Sequence, residues 1–185
     1  MLGEIRHASN IDTLIAGGES EQIEFKSSLH YPYGTPSSDP QKLRPQPSKR
    51  EIKKKLQKAV TKTIAAFLNT NGGTLLIGVD DSGAVLGIEP DFGYLRQGRQ
   101  NADEWMLTLK EAIITALGRE VWSAIHASLV RHEQRTVAVI HCPPRASETW
   151  LREAGSERFY IRASNATEEL TGRSLVRYTR EHWPE

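Results

Sequence analysis

The chain has 185 residues, 38% of them hydrophobic and 25% charged, with a formal net charge of +1. Such a composition supports a globular core and excludes collagen-like, low-complexity and disulfide-stapled chains. Near-zero net charge gives no global attraction to nucleic acid, so any such argument rests on local clusters.

The single cysteine, Cys142, cannot form an internal disulfide, and no Cys/His cluster has zinc spacing. No apolar run approaches the roughly 18 residues of a membrane span, and no charged-then-apolar leader is present. The expectation is a cytoplasmic chain with no membrane role.

Ile11, Leu14 and Ile15 fall at helical spacing, and Gly17-Gly18 would end that helix. From Gln22 the polar/apolar alternation is that of a half-buried strand, with Ile23 and Phe25 on one face and Gln22, Glu24 and Lys26 on the other. Residues 30–48 are rich in proline, with Tyr31, Tyr33, glycine and serine between. They read as a loop, either a lid or binding arm or a tolerated surface insertion.

Ser48 to Phe67 has the pattern of a long amphipathic helix. Ser48 followed by Glu51 is the capping-box pattern. Ile52, Leu56, Val60, Ile64 and Phe67 form the inward stripe, and Lys49, Arg50, Lys53, Lys54, Lys55, Lys58 and Lys62 cover the rest. Asn69-Thr70-Asn71-Gly72-Gly73 stops the helix and reverses the chain. Thr74 to Val79 is an apolar run without polar alternation, which predicts a strand covered on both faces. Asp80-Asp81-Ser82-Gly83 is a turn signature, and Val85 to Ile88 is expected to return as the second strand of a hairpin.

Pro90 to Arg99 reads as a loop and Ala102 to Gly118 as a second helix. Trp122 to Leu129 and Arg135 to His141 read as strands, with His141 in or near the core. Arg145 to Glu157 reads as a connection, Phe159 to Arg162 as a last strand, Ala163 to Thr167 as a polar turn, and Thr171 to His182 as a closing helix. The whole chain, 1–185, reads as one domain with the proline-rich insertion.

Three ordered segments carry a resemblance: residues 19–26 (ESEQIEFK), 65–81 (AAFLNTNGGTLLIGVDD) continuing to Gly83 and Gly87-Ile88, and Phe159-Tyr160-Ile161-Arg162 with Asn165 and Thr167. Together they resemble the Schlafen AlbA_2 domain, a family that includes nucleases, DNA binders and regulators. The resemblance implies an α/β fold with a mixed sheet flanked by helices. For the animal Schlafen relatives it implies an endoribonuclease acting on structured RNA such as tRNA, through three carboxylates and a divalent metal. On this chain those carboxylates correspond to Glu19, Glu24 and either Asp81 or Asp80, with Mg²⁺ or Mn²⁺ as the metal. The family usually has Gly where this chain has Ser164. The relatives pair two such lobes, so a homodimer is the corresponding expectation here.

Hard divalent cations take carboxylate, water and phosphate oxygens, so such a set suits phosphodiester cleavage. Exposed Glu on an edge strand and Asp in a turn are equally ordinary. Glu19, five residues from Glu24, joins the site only if it lies before the strand or on a kink. Lys26 shares the face of Glu24 and either contacts phosphate or holds Glu24 in a salt bridge. Arg50, Lys54 and Lys58 form one line on the basic helix, with Lys55 and Lys62 on the other flank. With Arg162 they are the candidate contacts to an RNA or DNA backbone. Arg173, Arg177 and Arg180 form a second basic group. Trp150, Tyr31 and Tyr33 either stack on unpaired bases or pack. No GxxxxGK[ST] motif is present and the glycines follow a helix rather than a strand, so no ATP site is expected. The histidines form no triad, which leaves a nucleophilic hydrolase without support. The reading is therefore a nucleic-acid-binding domain with metal-dependent endonuclease capacity, or a non-catalytic DNA- or RNA-binding regulatory module.

Overall fold

The computed structural model describes residues 11–33 and 48–184. Most of the proline-rich loop expected at about 30–48 lies outside the described residues.

The first sheet is mixed. Its edge strand β1 (Ile23–Lys26) runs parallel to β2 (Gly73–Ile77). Next to β2 lies β4 (Arg135–Cys142), followed by β3 (His126–His132), both in antiparallel register. As the apolar run predicts, β2 is covered on both faces. Leu75 and Ile77 enter the larger core with helix α1 (Lys49–Leu68) and helix α2 (Ala102–Leu117). Leu76 points the other way, toward Phe25, Val137 and Ile11. Residues 11–16 are helical, as their spacing predicts, and seal that second face with Ile11, Leu14 and Ile15. Each large core side chain, such as the fully buried Phe25, Phe67 and Trp105, contributes roughly 1.5–3 kcal/mol by leaving water.

The capping box forms as expected. Ser48 Oγ accepts from Glu51 N at 3.2 Å, and Glu51 Oε2 accepts from Ser48 N at 2.7 Å. At the other end of α1 the two glycines have separate tasks. Gly72 has φ +76°, and Gly73 lies so close to the Phe67 ring that an added Cβ would sit 2.4 Å from it.

The hairpin expected after β2 reduces to a single bridge, Val79 to Val85. Gly78 (φ +98°) and Gly87 (φ +76°) turn the backbone away, and a Cβ on Gly78 would lie 2.9 Å from the Gly87 carbonyl carbon. Ile88 N then donates to Thr136 O at 2.9 Å, and a 3-10 helix, Glu89–Tyr94, replaces the start of the expected loop. Trp122 belongs to a short helix α3 (Arg119–Ala124) rather than a strand, because Gly118 at φ +107° restarts helix directly after α2. His141 is exposed on β4, not in the core, while Cys142 beside it is buried. Burial pushes the Cys142 thiol well above its ordinary value.

A second sheet stands where a connection and one strand were expected. β5 (Trp150–Glu153), β6 (Ser156–Ala163) and β7 (Ala166–Leu170) pair antiparallel. Ala154 (φ 49°) with Gly155 (φ 83°), and Ser164 (φ 57°), make the two reversals. Asn69, the last cap of α1, fastens this sheet to the helix. Its side chain donates to Thr149 O (2.8 Å) and Tyr160 O (2.9 Å) and accepts from Thr149 N (2.7 Å). Helix α4 (Gly172–His182) closes the fold: Tyr178 and Trp183 meet Phe159, and Tyr178 donates its hydroxyl to Asn69 O at 2.5 Å. Among the described residues no helix is long and apolar enough to cross a membrane.

Ser164 holds a left-handed φ at the place where the resemblance leads one to expect glycine. That conformation costs a non-glycine residue about 1–2 kcal/mol, against about 0.5–1 kcal/mol of extra unfolded-state entropy for glycine. Ser164→Gly is therefore expected to stabilise the fold by about 0.5–1 kcal/mol, read from the midpoint of urea unfolding.

Candidate nucleic-acid interface

β1 positions the acidic candidates. Glu24 lies on its polar face, largely buried, and each oxygen meets a cation. Oε1 accepts from Lys26 Nζ at 2.5 Å and Oε2 from Arg162 Nη1 at 2.8 Å. Glu19 lies before the strand and folds back over it. Its Oε1 accepts the Phe25 N–H at 2.9 Å on the strand's free edge. Asp80 works inside its own turn, with Oδ1 accepting from Ser82 N (2.9 Å), Ser82 Oγ (2.6 Å) and Ala84 N (2.9 Å). Those bonds, led by the Ser82 hydroxyl, hold its carboxyl below the ordinary value. Asp81 is exposed and lines a small cavity with Lys26, Ser28, Tyr31 and Tyr33.

A divalent ion needs several carboxylate lone pairs aimed at one point. Here Glu24 is occupied by two cations, Glu19 by a backbone N–H and Asp80 by its turn. Among the described residues no group of three or more His, Cys, Asp or Glu side chains is placed to hold a metal ion. The side chains as arranged do not fit the metal that the resemblance implies.

Arg162 is buried rather than offered to a ligand, with 3% of its surface exposed. Its guanidinium donates to Glu21 O (3.2 Å), Ser20 O (2.7 Å), Glu24 Oε2 and Thr167 Oγ1 (3.1 Å), and lies 5.1 Å from the Phe67 ring centroid. It ties the start of β1 to α1 and the second sheet.

The other basic candidates lie on α1. Arg50, Lys54 and Lys55 are exposed, and Lys58 and Lys62 are half-buried. Lys58 Nζ pairs with Glu153 Oε1 at 2.6 Å, Lys62 Nζ sits 5.4 Å from the Tyr160 ring centroid, and Lys49 Nζ sits 5.9 Å from that of Tyr94. The hydrogen bond from Lys58, with the positive field of Lys58, Arg158 and Lys54, keeps the Glu153 carboxyl below its ordinary value. Among the described residues Lys58 is the one cation of this helix in an ion pair, and Arg50, Lys54 and Lys55 face solvent. A groove of about 360 Å³ runs between α1, α2 and β5, and Lys53, Lys54, Lys58 and Arg152 line it. Arg152 was hidden in the sequence, because a segment read as a connection gives no facing; its place on β5 supplies one. Arg173, Arg177 and Arg180 are exposed on α4, where Arg177 Nε pairs with Glu181 Oε1 at 2.8 Å.

The family model described as Schlafen, AlbA_2 matches residues 19–171. This chain belongs to the Schlafen AlbA_2 family. The match runs from Glu19 to the N-cap of α4, so it takes in β1, the basic helix and both sheets. Membership agrees with a nucleic-acid-related function. No curated protein matches. Among solved structures the chain is similar to the DIP2311 protein from Corynebacterium diphtheriae, with 17% identity and a TM-score of 0.56. That likeness covers 97% of this chain and 33% of the other, so this chain spans about a third of that protein's length. It is also similar to the N-terminal domain of a RecG-related protein from Nitrosomonas europaea, with 20% identity, a TM-score of 0.48, and 84% and 86% of the two chains covered.

The burial of Arg162 yields a discriminating test. Lysine keeps the charge but cannot reach four acceptors in one plane. Arg162→Lys is expected to lower stability by about 1–3 kcal/mol in denaturant unfolding, the scale of leaving buried acceptors unpaired. A residue serving only as a phosphate contact would lose affinity and leave stability unchanged.

Proposed function

We propose that this chain is a nucleic-acid-binding domain that engages the phosphate backbone along the outer side of α1. The observation that carries this is unbalanced charge: seven cations stand on one helix whose sequence holds a single carboxylate, Glu51. Helices with exposed charge usually alternate signs, because unpaired like charges destabilise one another. A row of unpaired lysines gains energy when it releases counterions from a polyanion. The helix is about 30 Å long at 1.5 Å per residue, so successive turns can follow several phosphates. Family membership supports the same reading.

Lys54 and Lys55 are the right residues for a test, since both are exposed and neither takes part in an ion pair, whereas Lys58 also holds Glu153. Lys54→Gln with Lys55→Gln is expected to weaken binding of labelled RNA or DNA about tenfold at low salt. The slope of log affinity against log salt should fall by about 2, one per lysine. Unchanged affinity and slope would remove the helix from the interface.

A second reading, metal-dependent cleavage of structured RNA, has one observation in its favour. Glu24 is bonded to Lys26, and Asp81 lines a cavity with Lys26, so both carboxylates neighbour one lysine. It requires Glu24 to leave Arg162 and Lys26. The check is cleavage of labelled tRNA, single-stranded DNA and duplex DNA, with Mn²⁺ or with EDTA, wild type beside Glu24→Gln. On this reading the wild type cuts only with the metal and Glu24→Gln binds without cutting. Binding without cutting by the wild type leaves the non-catalytic module.

A further inference from the structure

We propose that Tyr31 and Tyr33, with Tyr94 behind them, form a stacking platform for an unpaired nucleobase, so that the ligand is a single strand or a loop rather than a plain duplex. This rests on the nucleic-acid reading above and names the class of ligand within it.

Two of the few large apolar side chains left exposed lie side by side: Tyr31 (37%) and Tyr33 (41%). Their ring centroids are 4.8 Å apart at 63°, and Tyr94 meets Tyr31 edge-on at 6.1 Å. Exposed aromatic surface forfeits hydrophobic stabilisation, so a cluster of it calls for a partner.

The backbone beneath the cluster is tightly held. Asp91, fully buried, accepts from Leu29 N (2.9 Å), His30 N (2.8 Å), Tyr31 N (2.6 Å) and Trp105 Nε1 (2.8 Å). Ser28 Oγ also donates to Tyr31 O. His30 is buried among Asp91, Lys53 and Gln57, and its desolvation lowers its pKa to about 4, so it stays neutral. Burial, followed by the negative field of Asp91, raises the Tyr33 phenol above its ordinary value, so the ring carries no charge at neutral pH. The backbone under Tyr31 is therefore held before any ligand arrives, which lowers the entropy lost on binding.

The surroundings suit a nucleotide. The tyrosines line a cavity of about 150 Å³ with Ser27, Ser28, Lys26 and Asp81, whose hydroxyl, ammonium and carboxylate groups can meet a base edge. Leu56 and Ala59 of α1 form the apolar wall, which makes the cavity a flank of the basic helix. Lys49 lies over Tyr94 and supplies positive charge for the adjoining phosphate. Every base has a π-face, so such a platform tolerates many sequences. In a duplex those faces are already stacked and unavailable.

The test is fluorescence anisotropy with labelled oligouridine and a blunt RNA duplex at one fixed salt concentration. Tyr31→Ala with Tyr33→Ala is expected to weaken oligouridine binding roughly 5- to 150-fold, the range of one stacked base, and to leave duplex binding unchanged. Tyr31→Phe with Tyr33→Phe keeps the rings and should bind like wild type. An oligonucleotide of abasic residues should bind wild type weakly and lose nothing further in the alanine variant. Both rings lie outside the two cores, so every variant is expected to remain folded, with the phenylalanine variant matching the wild-type thermal midpoint. If the alanine variant binds oligouridine like wild type while Lys54→Gln with Lys55→Gln still weakens it, the platform is overturned and the helix reading stands. If wild type binds neither RNA, both fall.

Discussion

The guanidinium of Arg162 is the constraint on which the rest of the structure depends. A buried cation is tolerated only when its charge is matched and its donors are all used. Arg162 meets that demand by gathering acceptors from Ser20, Glu21, Glu24 and Thr167 while its flat face lies on Phe67. These groups come from the entry to β1, from β7 and from α1, so one side chain fixes both sheets against the helix between them. Asn69 works beside it with neutral groups, joining the end of α1 to Thr149 and Tyr160. Thr70 completes the seam by accepting the Arg162 N–H at 3.0 Å. The asparagine-threonine stretch ahead of the glycine pair is thus a weld between layers as much as a helix stop.

That arrangement explains which parts of the molecule were legible in the sequence. Local rules sufficed where local chemistry decides. Ser48 and Glu51 announced the start of α1, the apolar run of β2 announced a strand buried on two faces, and the alternation of β1 put Glu24 and Lys26 on one face, with an ion pair as one of two readings. The second sheet was not legible for β5 and β7, because WLRE and ATEEL are short and heavily charged and take strand form only by pairing with β6. The return strand at Val85 failed for the opposite reason. Its residues favour β structure, but Gly78 and Gly87 at positive φ bend it out of register. At the candidate site the exposed lysines of α1 could be read from helical spacing. The burial of Arg162 could not, since nothing near it in sequence reveals partners some 140 residues away.

The two charged regions of the domain behave differently. Around Glu24 the charges meet partners within the fold, the carboxylate held between Lys26 and Arg162, so that corner is rigid. Along α1 they do not cancel, and what balance exists comes from Glu153 on the neighbouring strand and from aromatic faces. Rigidity on one flank and unbalanced charge on the other is the combination expected of a surface that must hold its shape while attracting a flexible polyanion. The tyrosines at the near end of the helix rest on the Asp91 anchor, so the same stiffness extends to them.

Glu19 has a consequence that concerns the protein's company rather than its chemistry. Among the described residues β1 is an edge strand, and a bare row of backbone amides on such an edge invites the strand of another molecule. By folding back to receive the Phe25 N–H, the Glu19 carboxylate occupies one of those amides and sets a negative charge in the approach path. The side chain that the family resemblance marks as acidic machinery is thus engaged in covering an edge-strand amide, and its removal would leave that amide bare. Loss of activity in a protein lacking this side chain carries meaning only when the molecule is seen to remain unassociated.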